Sequence, residues 1–438
     1  MRRALLTALA LALTFGGVAA SANGHSPSFA AARSYRTGAP PRGVAIVDLN
    51  GDRRPDLVTA NGSADTVSVL LNRGAGRFRL GREYLVARDA WALAAGDLNG
   101  DPRPDVAVAT PGGGSISVLL NRGDGTFAPK HDVQIGHSAW SIALGDLNGD
   151  GRHDLVTGNN EDPGSISVVL NEGDGNFGPS VDYATGPFPS AVALGDLNGD
   201  GRPDVAAAFS GSASTVFVFL NRGDGRLRPV RGYRTPYYPV SVATGDLNGD
   251  RRLDLATASI NGSVSVLINR GGGGFRRRRD YHTGGYPRTI ALADMNGDRR
   301  PDLAVANEAG STTVLTNRGD GSFAGALDYW SGRWPESLAI GRLNGDGRPD
   351  IVIANEFSRT VSVLLNRPGL CTVQDVKGMT LPAAKQKLTR ADCRLGSVRR
   401  ASSKEIKTGL VISQRPRLGA VLPQGARVDL VVSLGRKR

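Results

Sequence analysis

An acidic loop that returns seven times constrains this chain more than any other feature. It begins at Asp48, Asp97, Asp146, Asp196, Asp246, Asp294 and Arg342, at intervals of 48–50 residues, and reads D-L-N-G-D-x-x-x-D with small changes. Self-similarity at this period marks stacked or ringed supersecondary units. A second element follows each loop, as in "LNRGDGTF" at 120–127 and "LNEGDGNF" at 170–177. Between them lie alternating runs such as "SISVLLN" and "TVSVLLN". Apolar alternation with period two is a strand signal.

Each unit therefore supplies four strands: one into the acidic loop, one out of it, the "SISVLLN" run, and the run between the phenylalanine and tyrosine that follow the G-D-G turn. Four-stranded units at this spacing predict propeller blades. The ends of the array match. The seventh unit stops at "SVLLNRPGL" without its fourth strand, and "FAAARSYRTGAPP" at 29–41 parallels "FGPSVDYATGPFP" at 177–189. An N-terminal strand that completes the last blade removes both exposed edges. The expectation is a mostly β chain: a seven-bladed propeller over 29–370, closed by the N-terminal strand. The D-x-N-G-D-G-x-x-D loops and N-x-G-D-G-x-F turns resemble FG-GAP/VCBS repeats. That resemblance implies an integrin-α-like propeller, related to secreted lectins and surface proteins, with Ca²⁺ in the loops.

The residues themselves agree with a hard cation. Positions 1, 3, 5 and 9 carry short oxygen side chains, and the carbonyl of position 7 completes the shell. The expected ligands are Asp48, Asn50, Asp52, Arg54 and Asp56 in the first loop, and Asp97, Asn99, Asp101, Arg103 and Asp105 in the second. Asp146, Asn148, Asp150, Arg152 and Asp154 form the third set, and Asp196, Asn198, Asp200, Arg202 and Asp204 the fourth. Asp246, Asn248, Asp250, Arg252 and Asp254 form the fifth, and Asp294, Asn296, Asp298, Arg300 and Asp302 the sixth. This is not an EF-hand: position 12 is Thr157 where a bidentate Glu belongs, and the flanks read as strands. Pro102 at position 6 should make the second loop turn differently or bind more weakly. Arg342 replaces the first Asp of the seventh loop, where its guanidinium can pair with Asp346 and Asp350, so that site is expected weak or empty.

Aromatic residues precede the first strand in six units: Trp91, Trp140, Phe188, Tyr238, Tyr286 and Trp334. They belong to the face opposite the loops. Asn61, Asn159, Asn160, Glu161, Asn307, Glu308, Asn355 and Glu356 reach the same face from the second-to-third connections. Flat rings beside amides and carboxylates suit a glycan or another extracellular ligand, although such rings also plug a channel. The triplets Arg122-Gly123-Asp124, Arg222-Gly223-Asp224 and Arg318-Gly319-Asp320 spell an adhesive tripeptide, but turn chemistry accounts for them. The five histidines show no metal or triad spacing. No nucleophile elbow or phosphate loop is present. The chain reads as a binding or adhesion protein rather than an enzyme. The alternative is a wall-polysaccharide enzyme using Glu308 or Glu356. The arginine run 276–279 falls on an outer strand and reads as a solvated edge; nucleic-acid binding is not expected.

Residues 1–22 have a basic start, an apolar stretch and small residues at Ala20 and Ala22, the pattern of a secretory signal peptide. The apolar stretch is too short to span a membrane. Export is expected, to the medium or the cell wall. Composition shifts after "NRPGL". Residues 371–438 hold fifteen Lys/Arg against four Asp/Glu, so this segment carries +11 of the chain's formal +12. Its "V-x-D-V-x-G-M-T-L-x-x-A" opening, "V-I-S-Q-x-P-x-x-G" and closing "V-D-L-V-V-S" resemble a PASTA domain, a small α+β module with a helix over Leu381–Ala391. The resemblance implies peptidoglycan or another cell-wall glycan as partner. Cys371 and Cys393, the only cysteines, are expected to pair in an exported protein.

Overall fold

The computed structural model describes residues 27–436 apart from 212–213, 368–369, 392 and 424–425. The leader at 1–22 lies outside the described residues. The chain divides into two compact units, Phe29–Asn366 and Arg367–Arg438.

The larger unit holds seven four-stranded antiparallel sheets among the described residues. The first sheet orders Gly43–Val47, Asp56–Asn61, Thr66–Asn72 and Phe78–Leu85 side by side. Five more repeat this order, with first strands Ala92–Gly96, Ala139–Gly145, Pro189–Gly195, Pro239–Gly245 and Pro287–Ala293. In the seventh, Pro335–Gly341, Asp350–Asn355 and Thr360–Leu364 are joined by Arg33–Arg36 from the other end of the unit. Tyr35 stands opposite Val361 in that antiparallel pair. Each first strand packs against the next, and Gly43–Val47 packs against both Ala92–Gly96 and Pro335–Gly341.

The second strand of every sheet is buried along its whole length, as "DLVTAN" and "DVAAAF" are. Its β-branched and small residues fit between neighbouring sheets. Val44, Leu57, Val352, Ala354 and Val361, for example, form one core between the first and seventh sheets. Full burial of a residue such as Leu57 contributes about 2 kcal/mol. Outer strands are tied differently. The Tyr35 ring meets Phe78 of the first sheet edge-on at 5.5 Å, and its hydroxyl donates to the Gly76 carbonyl at 3.1 Å. Tyr233 does the same to Phe275 and Gly273. Phe29 meets Tyr329 at 5.0 Å, in the place that the turn phenylalanines occupy elsewhere.

In the smaller unit, Arg394–Ala401 pairs in parallel with Arg427–Ser433, which pairs antiparallel with Val411–Arg415. The helix Leu381–Arg390 lays Ala384 and Leu388 into a core with Val373, Val376, Val411 and Leu430. Cys393 is buried in that core. The side chain of Cys371 lies outside the described residues.

Candidate metal loops and the opposite rim

Each acidic loop is a chain of side-chain-to-backbone bonds. In the third, Asp146 accepts from the Gly149 N–H at 2.7 Å and the Gly151 N–H at 2.8 Å. Asn148 accepts from the Asp150 N–H at 3.0 Å, and Asp150 from the Arg152 N–H at 2.9 Å. Residue 6 is left-handed in six loops, from Arg53 at φ 63° to Gly151 at 83°. Pro102 of the second loop departs from that range, at φ 32°. Having no N–H, it costs Asp97 the bond that Arg53 gives Asp48.

The position-7 arginine does more than lend its carbonyl. Arg54 and Arg152 pair with Asp52 and Asp150 at 2.6 Å, and Arg103 and Arg252 pair likewise with Asp101 and Asp250. On Asp52 the desolvation penalty is outweighed by the hydrogen bonds from Arg54 and Asn50 together with the guanidinium charge, so its carboxyl sits below the ordinary range. Arg202 and Arg300 instead donate to the carbonyls of Arg222 and Arg318 in the neighbouring turn.

Position 9 is buried. Asp154 accepts from the Leu147 N–H and the Asn171 N–H, both at 2.8 Å. Asp56, Asp105, Asp204, Asp254, Asp302 and Asp350 repeat this pair. Burial pushes these carboxyls up against the two N–H donors, to about 6 at Asp204 and about 7 at Asp302. Asp350 keeps both backbone bonds although Arg342 opens its loop.

The donor set is all oxygen, which suits Ca²⁺. Among the described residues, however, no three carboxylate, imidazole or thiol groups converge on a metal position. Asp146, Asn148 and Asp150 line the exposed turn, whereas Asp154 is committed to the backbone beneath it. A carboxylate has four lone pairs, so two N–H bonds leave Asp154 acceptor capacity.

One functional residue escaped the sequence reading: the asparagine that opens each N-x-G turn. Asn171 Nδ2 donates to its own His153 carbonyl at 3.0 Å and to the Leu98 carbonyl of the preceding sheet's loop at 2.9 Å. Asn221, Asn269, Asn317 and Asn366 make the same cross-sheet bond. Asn72 carries it from the first sheet to Leu343 of the seventh, at 3.0 Å. Asn121 Nδ2 is the exception, without a hydrogen-bond partner among the described residues. The only signal in the sequence was its invariant place in the repeat.

The RGD triplets belong to these turns. Asp124 accepts from the Thr126 hydroxyl and N–H, and Asp320 from those of Ser322.

On the opposite rim the six aromatics do not occupy one position. Trp91 and Trp140 stand six residues before their loops; Phe188, Tyr238, Tyr286 and Trp334 stand eight before theirs. The first position coincides with a β-bulge in five sheets, at Trp140, Ser190, Val240, Arg288 and Glu336. A bulge re-aims the side chain it carries. Trp91 is 8% exposed, with the Arg42 guanidinium 3.8 Å from its ring centre and Trp140 at 4.1 Å. It is a packed residue, not an open platform. Phe188 and Tyr286 are exposed, as is Tyr237 beside Tyr238. Trp334 is half-buried against Phe357 and donates to Glu336 at 2.7 Å. Arg42 pairs with Asp89 and Glu356 at 3.2 Å, and Arg288 with Glu308 at 2.6 Å. Burial pushes the Glu336 carboxyl up to about 7 despite Arg288.

The asparagines expected to face a ligand do not all do so. Asn61, Asn159, Asn307 and Asn355 are fully buried. Asn159 donates to Ser167, which donates to Asp182 on the outer strand. Asn61–Ser68–Glu83 and Asn307–Thr313–Asp328 repeat this ladder across three strands. The amides stitch sheets together. Glu161 meets His137 at 3.1 Å, and Glu308 and Glu356 hold arginines.

Sheets of this order carrying acidic loops at one end define a β-propeller built from repeated blades. The FG-GAP-like repeat model matches residues 48–108, 97–157, 146–207, 196–257, 246–305 and 294–353, and the chain belongs to that family. The PASTA domain model matches residues 372–434. No curated protein matches the sequence. The chain is similar in structure to BBS1N from a crystal of BBS1N in complex with ARL6DN soaked with lead, with TM-score 0.55 and 15% identity over 77% of this chain and 96% of that one. The mercury-soaked crystal gives 0.56 at the same identity and coverage. At this identity the likeness concerns the fold alone. No helix among the described residues is long and apolar enough to cross a membrane.

Proposed function

We propose that this is an exported binding or adhesion protein of the bacterial cell wall: a calcium-stabilised, seven-bladed closed propeller carried by a domain that contacts peptidoglycan. One observation carries the reading. A PASTA domain over 372–434 shares the chain with FG-GAP-like repeats. Pairing of Arg33–Arg36 with Thr360–Leu364, and the Asn72 bond to Leu343, support closure.

Calcium would be held in each of six loops by the side chains at positions 1, 3, 5 and 9 and the carbonyl at 7. It supplies a compact positive charge that lets these carboxylates ionise together. Its role here is structural, since binding to the folded ring stabilises it by mass action. The exposed rim aromatics Phe188 and Tyr286, with half-buried Trp140, Tyr238 and Trp334, are the ligand face for a glycan or extracellular protein. Trp91 packs against Trp140. A disulfide between Cys371 and Cys393 belongs to the same exported reading. The enzyme alternative would need Glu308 or Glu356 freed from its arginine; a binding role needs no such step.

The test is co-sedimentation with purified peptidoglycan, using the chain from residue 23 and the same chain lacking 372–434, with calcium and with chelator. The full chain should pellet and the truncated chain should stay in solution. Equal pelleting of both would move the wall contact to the propeller. No pelleting of either would remove the wall from the account.

A further inference from the structure

The repeats are alike in their loops but not in their outer strands. Those of the third and sixth sheets read "VDYA" and "LDYW", each with one acid and no arginine. That of the fourth sheet, Leu227–Arg234, carries Arg228, Arg231 and Arg234. The run Arg276-Arg277-Arg278-Arg279 leads into the outer strand of the fifth, Arg279–His282. The fold sets the two edges side by side, because Arg278 donates to the Arg234 carbonyl at 3.2 Å while its Nε holds Asp280 at 3.0 Å.

The other six arginines are all exposed, and none forms an ion pair among the described residues. Residues 24–370 sum to about −1 over the sequence, so these arginines form a dense positive group on a near-neutral body. A basic edge strand also resists edge-to-edge pairing. Arginine also stands on the outer strands of the first sheet, as Arg79 and Arg82, and of the seventh, as Arg33 and Arg36, but the seven arginines of the fourth and fifth edges outnumber those four and sit side by side.

We propose that the outer edges of the fourth and fifth blades bind a linear phosphodiester polymer of the cell wall. Arginine is the side chain whose planar fork matches a phosphate by two parallel N–H bonds. The fourth outer strand, at about 3.3 Å per residue, and the run leading into the fifth form a track that contacts successive phosphates of one chain. The wall as the polymer's source rests on the function proposed above; the anion track itself does not. This contact uses no residue of the C-terminal domain or of the aromatic rim.

The experiment measures binding of a purified glycerol-phosphate polymer to the full chain at two salt concentrations. The test variant carries R228Q, R231Q, R234Q, R276Q, R277Q and R279Q. The control removes as many charges from the C-terminal domain, as R399Q, R400Q, K404Q, K407Q, R415Q and R417Q. The test variant should bind about tenfold or more weakly and lose salt dependence, as expected when several phosphate contacts go. The control should retain the larger part of the affinity. Wild-type affinity in a folded, monomeric test variant would overturn the proposal. So would aggregation of that variant with unchanged affinity of its monomer, which would leave only edge protection. Tighter binding of duplex DNA through the same arginines would overturn the choice of polymer. Peptidoglycan stripped of anionic polymer tests the PASTA contact separately, so failure of either contact is read independently.

Discussion

The ninth residue of each acidic loop bears a burden its spacing does not announce. Asp302 is buried, its carboxyl raised to about 7 by desolvation, and it accepts from the Met295 and Asn317 N–H groups. Asp302→Ala should leave both donors unsatisfied and cost about 2–5 kcal/mol in denaturant unfolding. Spacing identified the residue as an oxygen donor. It could not reveal the second bond, because that donor comes from a turn fifteen residues on. Glu336 offers a pH test away from the loops. Its carboxyl is raised from 4.5 to about 7, first by burial. Between those values the folded state holds a proton that the unfolded state has lost, so Glu336 makes stability fall as pH rises through that window. Glu336→Gln should flatten that part of the stability profile, read by thermal unfolding at pH 4.5 to 7.5. An unchanged slope would mean that the carboxyl titrates normally.

Among elements, the strands were the legible part. Alternation and repeat length led to four strands per unit, and the missing fourth strand of the last unit pointed to 29–41. The rim was less legible, because six aromatics that look equivalent in sequence fall at two positions separated by a bulge. The buried asparagines were misread for a similar reason: an amide at a strand end looks exposed until its serine and acidic partners are set beside it. The turn asparagines allow a paired comparison. Asn171 makes two Nδ2 bonds, one across sheets, whereas Asn121 Nδ2 makes none among the described residues. Asn171→Ala should therefore destabilise the protein by about 1–3 kcal/mol more than Asn121→Ala, measured by chemical denaturation. Equal effects would remove the cross-sheet staple from the account.

For the whole molecule, the issue is how a series of near-identical sheets protects its ends. Arg33–Arg36 supplies the seventh sheet's outer strand and Tyr35 reaches the first sheet's turn, so one short segment joins the last sheet to the first. Deleting residues 27–41 should expose the edge of Thr360–Leu364, lower the midpoint of unfolding and broaden the transition. A sharp transition at the original temperature would show that the sheets hold without that strand. The central proposal is that calcium stabilises the propeller. It is tested most directly by calorimetric titration of the chelator-treated full chain with Ca²⁺, paired with thermal unfolding at each endpoint. The account predicts saturable binding at the six loops that begin with Asp, and a midpoint that rises with free calcium. No heat of binding, with the same midpoint in calcium and in chelator, would contradict it.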